Sequence, residues 1–318
     1  MTHIIERHFP AYKGELKHLY GFKPGYLFLD LTLGDGGHTQ EALESGCHVV
    51  SFDVDEKAIK RATDYIKDFQ PLIIDSKDEN TRVPKDFVWI IIQSNFTKVT
   101  EVSKRLSLPD FDGVMVDLGP SQFQLLSEGR GFSFSGNELL DMRLDQTLGV
   151  TAADLLAVLN EGELVKLFSM ADEPFAKPIA RIIAKQRQIA PITTTKQLSD
   201  LITRIKKFRT EGLPAGRHGR IHPATKVFMA LRMAVNLERE NIHLLLPQLP
   251  NLLKTSGLMG IISFHSGEDR LVKNFIIDFE NKGILSAINQ KPIEPSIEEL
   301  TISQRTRSAK LRFAKKII

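Results

Sequence analysis

The chain has 318 residues, 42% of them hydrophobic, enough for one large domain with its own core plus a second unit. Its apolar runs, such as Val88–Ile92, are too short to cross a bilayer, and the opening Met1–His8 has no apolar stretch of the signal-peptide type. The single cysteine, Cys47, excludes an internal disulfide and a Cys-rich metal cluster, and these features together suit a cytoplasmic protein. The formal charge of +3 conceals a concentration of cations: Arg181 to Arg232 carries 12 Lys/Arg against two acids, Asp200 and Glu211, and Arg305 to Ile318 carries six against none. A polyanionic partner or a solvated helix face each accounts for such clustering. Phe208, inside the first run, is little basis for base stacking.

In chain order, Tyr26–Leu33 reads as a strand, followed by a glycine loop and a helix from about Thr39. Cys47–Val54 reads as a second strand, Glu56–Phe69 as a helix, Val88–Gln93 as a third strand, Lys98–Leu106 as a helix and Asp112–Leu118 as a fourth strand. This alternation predicts a parallel sheet covered by helices on both faces. From about Ser127 to Arg220 strand signal vanishes, and Ala152–Leu159, Phe175–Gln186 and Lys196–Lys207 read as helices, with Gly212–Gly219 as a loop. Strand signal returns at Leu258–Phe264, after an amphipathic helix ending near Gly257, and is followed by a helix over Asp269–Phe279 and a strand over Ser308–Lys316. The expected architecture is therefore an α/β sheet domain in two parts, 1–126 and 221–318, with an inserted helical domain at 127–220.

The strand Leu27–Leu33 runs into Gly34-Asp-Gly-Gly-His38, and Asp53 stands at the end of the following strand. Glycines there admit a close ligand, the next helix N-terminus favours polar groups, and a carboxylate one strand later can accept both ribose hydroxyl hydrogens. A dinucleotide site asks for a third glycine where Thr39 stands, so the pattern suits S-adenosylmethionine better than NAD. A tight strand-to-helix turn with no ligand is the bland alternative, which Asp30 and Asp53 at successive strand ends make less attractive.

Further segments extend the pattern. Asp30–Thr39, Phe52-Asp-Val-Asp55, Asn95-Phe96, Asp112–Gly119, Gln124-Leu125, Arg130–Phe134 and Asp141-Met-Arg143 are followed by Phe175–Arg181, His222–Lys226, Arg232, Asn236, Ile262–Ser266, Glu268-Asp-Arg270 and Arg307–Arg312. In this order the segments resemble the ribosomal RNA small-subunit methyltransferase H family, also called the MraW family, over nearly the whole chain. The resemblance implies a class I S-adenosylmethionine methyltransferase fold, Rossmann-like, with an inserted all-helical domain that recognises the substrate. It implies N4-methylation of a cytidine in small-subunit ribosomal RNA, with S-adenosyl-L-methionine as cofactor and ribosomal RNA or the small ribosomal subunit as partner. Its cofactor contacts fall on Gly36, Gly37, His38, Asp53, Phe96, Asp117 and Gln124. The chain departs from the family at His8–Glu15, where an apolar trio is lost, at Pro120 and Phe123, at Gly267 in place of Leu, and in an extra loop over about Asp75–Asp86.

A cytosine amine is a poor nucleophile because its lone pair is delocalised into the ring, and an acceptor on its N–H helps the nitrogen become pyramidal. Asp117, at the fourth strand's end, is the candidate catalytic acceptor; it could also hold the methionine part of the cofactor. Phe96 could stack on adenine or merely pack, and His38 suits a loop hydrogen bond better than a base. Arg143, Lys226, Arg232 and Arg270 are candidates for binding substrate phosphates, against surface or helix-capping roles. The His and Cys spacing gives no metal site. The rival readings are a non-catalytic RNA-binding or ribosome-assembly factor on the same fold, a nicotinamide-dependent oxidoreductase and a small-molecule methyltransferase.

Overall fold

The computed structural model describes residues 10–76, 78, 81–119, 129–134, 136–210, 222–303 and 306–318. Two compact units emerge: Met1–Ser121 with Glu240–Ile318, and Gln122–Arg239.

Among the described residues the first unit is built on eight strands: β1 Leu27–Asp30, β2 His48–Asp53, β3 Leu72–Asp75, β4 Trp89–Gln93, β5 Phe111–Asp117, β6 Leu253–Ser263, β7 Leu285–Ala287 and β8 Lys310–Lys316. They lie in the order β3-β4-β2-β1-β5-β6-β8-β7. The strands from β3 to β6 are parallel, and β8 runs antiparallel between β6 and β7. This is the class I methyltransferase arrangement with one added edge strand, β3. The central strands are almost continuously apolar, as burial on both faces requires. Alternate residues feed two cores. Leu29, Val50, Ile90, Val114 and Met259 pack on one face, while Phe28, Val49, Ile91, Met115 and Ile262 pack on the other. The order reverses at β1: the chain proceeds outward to β2 and then returns to place β5 on β1's other side. A crevice at the carboxyl ends of such strands is where open α/β sheets bind ligands.

The second unit is helical, with helices at Ala152–Val158, Glu161–Met170, Ala176–Ile189, Thr195–Thr210 and Thr225–Val235. Leu164, Phe168, Ile179, Ile183, Leu198 and Ile202 fill its core together with Ala224, Val227, Phe228 and Leu231. Capping boxes start the first two helices: Thr151 and Asp154, then Asn160 and Glu163, reciprocally satisfy orphan amide donors.

Two sequence expectations change. Residues from 221 on were expected in the second part of the sheet domain, but a helix not anticipated there, Thr225–Val235, packs its apolar face into the helical core, and the compact helical unit spans Gln122–Arg239. The amphipathic helix expected to end near Gly257 stops at Leu245. Pro247 and Pro250 force the next turns into a 3-10 segment, Leu246–Leu252, and β6 starts at Leu253. The short strands β3 and β7 were not anticipated. β3 falls just before the extra loop noted at Asp75–Asp86, which carries no further helix or strand among its described residues. The Gly212–Gly219 loop lies outside the described residues.

Candidate functional site

Three carboxylates stand at the carboxyl ends of neighbouring strands: Asp30 on β1, Asp53 on β2 and Asp117 on β5. Asp30 is fully buried and accepts hydrogen bonds from Thr39 Oγ1 at 2.7 Å and from the Thr32 amide at 3.1 Å. Thr39 lies 2.9 Å from Ser51 Oγ, which accepts from Trp89 Nε1 at 3.1 Å, so a polar chain threads the sheet beneath the loop. Burial raises the Asp30 carboxyl above the usual range, while the nearby His38 and these hydrogen bonds pull it back. Thr39, which spoils the dinucleotide pattern, is thus a partner of Asp30.

Asp53 organises the glycine loop. Its Oδ2 accepts from the Gly34 amide at 2.9 Å and its Oδ1 from the Asp55 amide at 2.8 Å. Burial pushes its carboxyl up to about 7, opposed by those two amides and reinforced by Asp55 and Asp30. Each carboxylate oxygen keeps acceptor capacity beyond its amide bond, so the ribose role remains open to it. Gly36 caps the helix Gly37–Glu44 at φ +81°, and a Cβ there would stand 2.8 Å from Ile66 Cδ1. A Cβ on Gly37 would stand 2.6 Å from Pro10 Cγ. Both glycines are therefore demanded by the protein's own packing, before any ligand is considered.

His38 is buried, and its Nε2 lies 2.9 Å from the Ala11 carbonyl, so the ring proton belongs on Nε2. The side chain is anchored to the N-terminal segment. Phe96 opens a short 3-10 turn capped by Asn95, whose Oδ1 accepts from the Thr97 amide. The ring is half-buried against the sheet core, and the Ser94 amide donates to the Asp53 carbonyl at 2.9 Å, so Phe96 follows closely on the end of β2. A partly open aromatic close in the chain to the end of β4, which pairs with β2, fits adenine as well as it fits a packing role.

The Asp117 amide donates to Thr32 Oγ1 at 2.7 Å, and its Oδ1 accepts from the Gly119 amide at 2.9 Å. Burial raises this carboxyl to about 6; His38 and Gly119 oppose the rise, and Asp30 and Glu268 add to it. Glu268 is itself buried, accepting from the Phe264 amide at the start of the helix Ser266–Asn281, where His265 Nδ1 caps the Gly267 and Glu268 amides. A Cβ on Gly119 would stand 2.4 Å from Phe264 Cε2, so the turn after β5 has no room for a larger residue. Sequence reasoning missed Thr32, Thr39 and Glu268 as members of this cluster. The signal for the first two was a hydroxyl two and nine residues beyond a strand-end Asp.

Gln124, Pro120 and Phe123 lie outside the described residues. Three of the basic candidates are engaged locally. Arg143 forks onto Asp141, with 2.8 and 2.7 Å bonds, and also donates to the Leu148 carbonyl. Arg232 forks onto Glu238 at 2.8 and 3.1 Å, and Lys226 Nζ donates to the Asp172 carbonyl at 2.7 Å. These three belong to the helical unit; Arg270 belongs to the sheet unit and is exposed. Among the described residues no cluster of His, Cys, Asp and Glu could hold a metal, and no helix is long and apolar enough to cross a membrane.

The groups at the strand ends fit S-adenosylmethionine: a buried carboxylate on β2 with acceptor capacity to spare, a half-open aromatic ring, and further buried carboxylates on β1 and β5. Comparison with known proteins agrees with a methyltransferase. A protein of Synechocystis sp. called ribosomal RNA small subunit methyltransferase H is 40% identical over 298 residues, 93% of this chain and 88% of that protein. A protein of the same name from Carboxydothermus hydrogenoformans is 36% identical over 98% of both chains. A solved rRNA methylase structure from Streptococcus thermophilus aligns over 96% of this chain and 97% of its own at 9% identity and a TM-score of 0.40, so the fold assignment rests on the strand order instead. The family model described as the MraW methylase family matches residues 6–317, and the chain belongs to that family.

Proposed function

We propose that this chain is a cytoplasmic enzyme that methylates N4 of a cytidine in small-subunit ribosomal RNA, using S-adenosyl-L-methionine. The observation that carries the reading is Asp117: a buried carboxylate at the turn after β5, raised to about 6, and so a stronger proton acceptor than an ordinary carboxylate while still ionised near physiological pH. The cofactor, when bound, supplies an electrophilic methyl on a sulfonium sulfur. Asp53 accepts from the ribose hydroxyls, Phe96 covers the adenine, and Gly36, Gly37 and His38 shape the loop beside them. Gln124 joins this set on the family resemblance. Asp117 accepts from the target N–H, which frees the nitrogen lone pair for in-line attack and lets the carboxylate hold the departing proton.

The helical unit serves as the substrate-recognition domain, with its cationic run neutralising backbone phosphates. The target base leaves its stack to reach the donor. Arg270, exposed near the start of its helix, is the best placed of the four basic candidates to meet a phosphate; Arg143, Lys226 and Arg232 would do so only with the outer faces of groups already bonded at home. Retention of Asp30, Asp53 and Asp117 together favours catalysis over a purely RNA-binding assembly factor. Mass mapping of small-subunit ribosomal RNA, with and without the protein, tests the reading. A cytidine that gains one N4-methyl only when the protein is present is the expected result; unchanged RNA after incubation with assembled subunits and cofactor would sink it.

A further inference from the structure

The cationic run itself offers little to stack on, but the helical fold supplies an aromatic partner from outside it. Phe134 and His222, far apart in sequence, lie face to face with ring centroids 4.0 Å apart and an interplanar angle of 9°. Phe134 is half-buried and rests edge-on against the buried Phe228, with centroids 5.9 Å apart at 87°, so the pair is supported from the core. His222 is exposed. Its Nδ1 accepts from the Ala224 amide at 3.2 Å, which fixes the ring's orientation and leaves the proton of the neutral ring on Nε2. Burial and the neighbouring Lys206 hold the imidazole below its usual pKa, so the ring is neutral at physiological pH. His222 also sits within the stretch Arg181–Arg232, which carries 12 cations against two acids.

We infer that the exposed His222 ring, backed by Phe134, is a stacking platform for one unpaired base of the RNA substrate. The inference rests on the RNA-methylating reading above. A neutral aromatic surface in a cationic setting is the combination by which single-stranded RNA is held: phosphates meet the charges and a base covers the ring.

The competing role for His222 is local, as the acceptor that caps the Ala224 amide at the start of the helix Thr225–Val235. Two variants separate the roles. His222→Asn keeps an acceptor for that amide and loses the ring; His222→Phe keeps the ring and loses the acceptor. Binding of small-subunit ribosomal RNA is measured by filter retention over a salt series, with thermal melting as a folding control. Stacking predicts that His222→Asn binds about tenfold more weakly at every salt concentration, with an unchanged salt slope, and that His222→Phe binds like the parent. Parent-like binding by His222→Asn, or an equal loss in both variants, overturns the platform while leaving the methylation reading intact. Failure of the parent protein to bind or methylate the RNA overturns both. Phe134→Leu, which removes the ring beneath, is expected to weaken binding in the same salt-independent way, and unaltered binding by that variant counts against the platform.

Discussion

The Gly34 amide donates to Asp53 Oδ2 across 2.9 Å, tying the loop after β1 to the end of β2. The bond sets the loop's shape in advance, so ligand binding need not order it. Asp53→Ala is expected to weaken S-adenosylmethionine binding by about 1.5–3 kcal/mol, the scale of hydrogen bonds to a charged group, with loosening of the loop adding to the loss. Calorimetry reads the affinity, and NAD is expected not to compete.

The Asp53 carboxyl, pushed up to about 7, makes cofactor binding depend on pH. Ribose hydroxyls favour the ionised acceptor, so binding near neutrality releases a proton, and affinity falls as pH drops through about 7. Calorimetry in buffers of different ionisation enthalpy detects that proton, and Asp53→Asn abolishes the dependence. The ligand-free protein shows the opposite trend. Both Asp53 and Asp117 have folded-state values above the ordinary ~4, so their contribution to stability is fully present below ~4 and is lost as pH rises through 6 to 7. Replacing both by Asn is expected to flatten the melting temperature across that window.

Asp117→Asn is expected to slow single-turnover methylation on the order of 10²–10⁴-fold, with a much smaller change in cofactor affinity. Asn retains a carbonyl oxygen for the Gly119 amide, so the turn after β5 persists. Restoration of the parent rate at saturating cofactor would assign Asp117 to the cofactor alone.

Within the cationic run, Lys206 is held by a buried acid. Its ammonium lies 2.7 Å from Glu173, whose side chain is fully buried, and it also donates to the Pro223 carbonyl. Lys206→Ala leaves a buried charge without its partner, and a loss of about 3–5 kcal/mol of stability is expected in a denaturant titration. Charge reversal at the exposed Lys185 and Arg204 is expected to spare stability, weaken RNA binding and flatten its salt dependence.

The strands that carry the site were legible because each is a short apolar run closed by a polar residue or glycine. β3 escaped because two of its four residues are exposed and it lies at an edge; β7 escaped because three residues give no period to read. β6 was read from Leu258 because Lys254-Thr-Ser-Gly257 breaks the apolar pattern, at the point where its pairing with β5 shifts register between Phe111 and Gly113. The carboxylates Asp30, Asp53 and Asp117 were visible from position alone. The hydroxyls of Thr32 and Thr39 that bond the Asp117 amide and the Asp30 carboxylate, and the stacking of Phe134 on His222, depend on tertiary approach and leave no periodic trace. Arg143 and Arg232 drew attention as cations, yet the carboxylates that engage them are close in sequence, at Asp141 and Glu238.

The position of β8 between β6 and β7 governs the order of assembly. As the chain is synthesised, β1 to β5 can pair early, and the core of the helical unit is complete once Val235 has emerged. β6 must then find β5 across that whole intervening unit, a long closure that slows folding. β7 gains its hydrogen-bonded neighbour only when the last strand arrives. Until then one edge of the half-finished sheet is open to pairing with other chains.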